Sequence, residues 1–167
     1  TGTNIGSSNY TDLIGLAIHP ETKIIYSIRS SAAGSTLLRL NSSAGDAYPL
    51  FSYPLPGLFS IAFDSSGTLY GVLTTGQVYT LNLEDGSYSL VTTIPCQRIS
   101  IKFNPQTNEL WGTVKNFIGN PKDQLVKIDL STGDTTRIGR TGYNVNTLDL
   151  AFDEANQLYG IKGSGTL

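Results

Sequence analysis

The stretch Leu150-Ala-Phe-Asp-Glu-Ala-Asn-Gln-Leu-Tyr-Gly-Ile161 reads as a strand, a polar turn and a second strand. Taken alone, its Asp153-Glu154 pair invites a catalytic reading. The stretch recurs, however: LAIHPETKIIYSI starts at Leu16, IAFDSSGTLYGV at Ile61 and IKFNPQTNELWGTV at Ile101, so that the copies lie 45, 40 and 49 residues apart. Opposite Asp153-Glu154 they carry His19-Pro20, Asp64-Ser65 and Asn104-Pro105. What recurs is a polar residue that opens a turn by bonding to its own backbone. His19 is therefore expected to be a turn residue rather than a general base.

A second pattern follows three of the four copies: TLLRLNSSAGD from Thr36, QVYTLNLEDGS from Gln77 and QLVKIDLSTGD from Gln124. Each is a short apolar run, then Asn or Asp, then a Gly-closed turn, the punctuation of a hairpin. AYPLFSYP, YSLVTTIP and TTRIGRTG come next. Each unit thus holds four short strands, a to d, and no segment keeps a helical apolar period. An all-β chain that repeats four strands about every 40–50 residues is built as a β-propeller, in which each blade is one twisted sheet.

We therefore expect one domain over 1–167 with about four blades of four antiparallel strands, three complete and one split between the termini. The complete blades cover about 13–54, 58–95 and 98–142. A strand d over 1–9 opens the chain, because Ile5-Gly6 and Tyr10 align with Ile138-Gly139 and Tyr143, and a partial blade over 146–167 ends it. Such an arc leaves a sheet face and strand edges uncovered. Closure is expected from further blades in the same polypeptide, the preferred reading, or from another copy by strand complementation.

The motif Ala-Phe-Asp-x-x-Gly-x-Leu-Tyr-Gly followed by Leu-x-x-Ile-Asp-x-x-Thr-Gly resembles the blade repeat of bacterial secreted and cell-surface β-propeller proteins. It is more distantly similar to NHL-type and gluconolactonase-like propellers. The resemblance covers nearly the whole chain and is specific for fold, since such propellers include binding modules, scaffolds and enzymes. It implies an extracellular or cell-surface protein whose d–a and b–c loops share the functional face.

Composition narrows the partners. The chain carries 11 basic and 13 acidic residues, only 14% charged in all, and no basic stripe able to track phosphates, so nucleic acid is not expected. No apolar run reaches the ~20 residues that cross a bilayer, so membrane insertion is not expected. Cys96 is the single cysteine and His19 the single histidine, which leaves no disulfide and no zinc spacing. Asn9 (NYT) and Asn41 (NSS) fit the glycosylation pattern.

Within the repeat, departures from the common rule mark candidate sites. Leu16, Ile61, Ile101 and Leu150, then Ile18, Phe63, Phe103 and Phe152, form apolar columns that pack between sheets. Tyr26, Tyr70, Trp111 and Tyr159 form an aromatic column of the same kind. The alternate positions are small: Gly15, Ser60 and Ser100, then Ala17, Ala62 and Ala151, as the crowded axis requires. Asp149 and Lys102 break that rule, so they are expected to reach water in a central channel, pair with something, or contact a ligand. On the loop face, Tyr10, Arg98 and Tyr143 sit in d–a loops, and the longest b–c loop, Lys115 to Gln124, brings Asn116 and Phe117.

These residues predict a non-catalytic binding or structural module that holds a protein or glycan ligand on the loop face, with no cofactor and no metal. The alternatives are a self-assembling fibre or oligomer subunit and a metal-dependent lactonase-like hydrolase. For the last, an axial cation would need several carboxylates, and Asp149 is the only one in the inner column.

Overall fold

A computed structural model describes residues 3–95, 97–115, 123–142 and 147–162. All described regular structure is β. Strands β1 (Leu13–Ile18), β2 (Ile25–Ser31), β3 (Gly34–Leu40) and β4 (Ala47–Tyr53) form the first sheet. The second is β5 (Leu58–Phe63), β6 (Leu69–Leu73), β7 (Gln77–Leu81) and β8 (Tyr88–Thr93). The third is β9 (Gln97–Phe103), β10 (Leu110–Lys115), β11 (Gln124–Ile128) and β12 (Thr135–Arg140). Strands β13 (Thr147–Phe152) and β14 (Leu158–Lys162) pair as a fourth, two-stranded sheet. Every ladder is an antiparallel meander between consecutive strands.

The repeated turn chemistry explains why each unit folds alike. At the a–b turns the Asp64 carboxylate accepts from the Ser66 and Thr68 amides, and the Asn104 side chain from those of Gln106 and Thr107. Asp153 accepts from the Gln157 amide at 2.8 Å. His19 does the same work with imidazole Nδ1, which accepts from the amides of Glu21 and Thr22 at 3.2 and 3.3 Å. The c–d turns repeat a second device: Asn41, Asn82 and Asp129 each accept from the amide two residues on, and Gly45, Gly86 and Gly133 then supply the positive φ that reverses the chain.

The innermost strands β1, β5, β9 and β13 stand side by side around an axis, and each a–b pair is bulged near its start. A bulge sharpens the twist that fans a sheet outward. Blade faces stack on one another through large side chains. Tyr26 meets Phe63 edge-on at 5.4 Å between ring centroids, Tyr70 meets Phe103 at 5.1 Å, and Trp111 meets Phe152 at 5.9 Å. Around these pairs two buried clusters form, one holding Ile28, Leu37 and Ile61, the other Val72, Ile101 and Val126. Each such side chain contributes about 1.5–3 kcal/mol on burial.

Two expectations need adjustment. Residues 3–9, part of the segment expected as a strand d, form no ladder; Asn4 and Ser7 accept local amide bonds there instead. The apolar columns also do not pack uniformly: Ile61, Ile101 and Leu150 are buried, whereas Leu16 and Ile18 of β1 are exposed.

Candidate functional site

Where the four inner strands converge, a cavity of about 500 Å³ opens between β1, β5, β9 and β13. Phe63, Phe103 and Phe152 supply apolar wall, while His19, Asp64 and Asn104 stand at its mouth. Those three open the a–b turns, so the cavity faces the side opposite the d–a and b–c loops where function was expected. The structure brings Lys102 and Asp149, the two rule-breaking charges of the inner column, into this one cavity.

Both are engaged with backbone. Lys102 Nζ donates to the Leu16 carbonyl at 3.0 Å, linking the third blade to the first. Asp149 Oδ1 accepts from its neighbour, the Leu150 amide, at 2.9 Å, and weakly from the Ser100 hydroxyl at 3.5 Å. Burial pushes the Asp149 carboxyl above the ordinary carboxylate value; Lys102, the bonds from Leu150 and Ser100, and the Leu16 amide pull the other way. Burial likewise pulls the Lys102 ammonium below the ordinary lysine value, against the attraction of Asp149. Lys102 is only half-buried by surface, yet its ammonium end reaches far enough into the cavity for desolvation to dominate.

Elsewhere, Tyr10 forms a separate surface cluster. The Arg29 guanidinium lies 5.8 Å from the centre of its ring and 4.0 Å from the Asp12 carboxylate, an exposed grouping of small energetic weight. Arg98 stands on β9 with its side chain outside the described residues, as are Asn116, Phe117 and Tyr143 altogether. Asn9 and Asn41 are exposed, and the Asn41 side chain accepts the amide of Ser43, the third residue of its own sequon.

Sequence reasoning missed Leu16 and Arg29. Leu16 acts through its peptide group, which leaves no mark in residue type. Arg29 faces Leu13 across the β1–β2 ladder, a pairing visible only once the register is set. Among the described residues no three His, Cys, Asp or Glu side chains gather into a metal-binding group.

Sheets of a four-stranded meander repeated around an axis define a β-propeller, and solved structures bear out that class. The chain superposes on a chain of a nidogen–laminin complex with a TM-score of 0.68 and 16% identity, covering 90% of itself and 56% of that chain. A gluconolactonase from Xanthomonas campestris gives 0.61 and 17% over 92% of this chain and 54% of its own. TolB from Acinetobacter baumannii gives 0.63 and 15%, over 92% and 39%. At such identities the likeness concerns fold, and the chain spans about half the length of the first two. No family model matches the sequence, and no curated protein matches it.

Proposed function

We propose that the chain is a non-catalytic extracellular β-propeller, serving as a binding or structural module of a secreted or cell-surface protein. The supporting observation is the engagement of its two axial charges. A catalytic acid or a metal ligand must offer its polar atoms to a substrate or ion. Lys102 instead bonds to the peptide carbonyl of Leu16, linking the third blade to the first, and Asp149 Oδ1 accepts from the amide of its own neighbour Leu150. The low charge content and the exposed Asn9 and Asn41 sequons favour an extracellular setting. The ligand is a protein or glycan held by the d–a and b–c loops, where Tyr10 and Arg29 present a polar-aromatic surface.

Metal analysis and lactone hydrolysis assays on the purified chain and on Asp149→Ala test this reading. The expected result is no stoichiometric divalent metal and no turnover in either. Metal bound at one per chain and lost in Asp149→Ala would favour the hydrolase instead. In a secretory host, Asn41→Gln should remove one glycan by mass; an unmodified wild-type chain would count against the extracellular assignment.

A further inference from the structure

The junction between the second and third blades is stitched twice by hydrogen bonds. On the inner strands the Ser60 hydroxyl accepts the Ile101 amide at 3.1 Å, and both residues are fully buried. At the a–b turns the Asn108 side chain, carried on a left-handed backbone with φ of 55°, accepts the Ser65 amide at 2.8 Å. Each stitch joins one blade to the next through a peptide N–H, so it needs both the acceptor side chain and a free donor.

The third–fourth junction carries the same acceptors and makes neither bond. Ser100 stands where Ser60 does and Leu150 where Ile101 does, but the Leu150 amide donates at 2.9 Å to Asp149, its neighbour in sequence. The Ser100 hydroxyl is left with a 3.5 Å approach to that same carboxylate oxygen. At the turns Asn156 repeats the left-handed Asn, with φ of 61°, and its Oδ1 is buried without a partner. The residue in the place of Ser65 is Pro105, which has no amide hydrogen to give. At the first junction the corresponding positions are Gly15, Pro20 and Gly67, so no acceptor is left over. There the His19 ring packs on Phe63 at 5.0 Å between centroids and lies against Gly67. One buried cluster spans the first junction and the other the second.

We propose that this junction is a hinge built into the fold: Asp149 and Pro105 withdraw the two stitches between the third and fourth blades, so that the β13–β14 hairpin parts from the third blade as a unit while the second and third blades stay joined. Phe103 and Asn104 of the third blade and Leu150 and Phe152 of the fourth line the cavity that holds Lys102 and Asp149, and parting them widens its mouth. The cause lies in two residues within the junction, whatever chain follows the hairpin. It stands independently of the binding function.

Hydrogen–deuterium exchange of the purified chain, followed by mass spectrometry, tests it, with residues 58–73 of the second blade as the internal reference. Pro105→Ser supplies the missing amide and should slow exchange over 147–162 by about two- to tenfold, the gain of one net hydrogen bond. That gain should vanish when Asn156→Gly is added, because glycine keeps the left-handed turn and offers no acceptor. Asp149→Ser returns the Leu150 amide to Ser100 and should slow the same segment relative to 58–73, which keeps the test open if either turn variant folds poorly. A segment indifferent to both Pro105→Ser and Asp149→Ser, or a slowing by Pro105→Ser that survives the loss of Asn156, would overturn the hinge.

Discussion

Tyr26 on β2 meets the edge of Phe63 on β5, ring centroids 5.4 Å apart, and so joins the first blade to the second. Phe63 belongs to a column whose members differ in surroundings rather than in chemistry. Replacing Phe63 or Phe103 with Ala should cost about 3–5 kcal/mol, because each leaves a cavity between sheets that cannot collapse. Ile18→Ala, at the exposed member of the column, should cost under about 1 kcal/mol. Urea unfolding of the three variants checks the ranking; equal losses would sink the account of the junctions.

Turn glycines differ in what surrounds them. Gly86 has φ of +74° and lies against the Phe51 ring of the neighbouring blade, so Gly86→Ala combines left-handed strain with a clash and should destabilise by more than about 1 kcal/mol. Gly139 has nothing within 4 Å of an added Cβ and no positive φ, and Gly139→Ala should be neutral or slightly stabilising. Thermal unfolding distinguishes the two.

Asp149 makes stability depend on pH. Its folded-state carboxyl is held above the ordinary value of 3.8, chiefly by burial. The native state therefore prefers the proton, and the associated stability is complete below about pH 3.8 and is lost as pH rises through the folded-state value. Relative to Asp149→Asn, the wild type should be most favoured in acid and lose ground towards neutrality. Urea midpoints of both proteins from acid to neutral pH provide the measurement, and parallel profiles would contradict it.

Tyr53 predicts the alkaline limb. Burial, with a smaller push from Asp85, raises its phenol from 10.0 to about 12, and its hydroxyl is buried without a partner. The unfolded chain loses this proton first, so the contribution is intact below about pH 10 and is lost between about 10 and 12. Tyr53→Phe removes both the unsatisfied hydroxyl and the titration. It should match or exceed the wild type at neutral pH and unfold at higher pH in an alkaline series followed by circular dichroism.

Much of the architecture was legible in the residues because a blade is a local object. The Asp64 and Asn104 turn openers, the Gly86 and Gly133 reversals and the alternation along each strand all act within about a dozen residues, and four copies let one check another. His19 was readable as a turn residue for the same reason, and its Nδ1 takes the place of the carboxylate oxygen. The exception to the rule of small inner residues singled out Lys102 and Asp149, but not their shared neighbour Leu16.

The sequence by itself determined the repeat, the four-strand blade and the apolar and aromatic columns that pack between sheets, since each follows from side-chain size and turn chemistry at fixed spacing. Only the tertiary structure decided which members of equivalent columns are covered, that the cavity opens beside the a–b turns, and that Lys102 bonds to a peptide carbonyl of the first blade while Asp149 shares its cavity. These depend on how sheets far apart in the chain are set around one axis, and a backbone carbonyl that receives a lysine looks, in sequence, like any other.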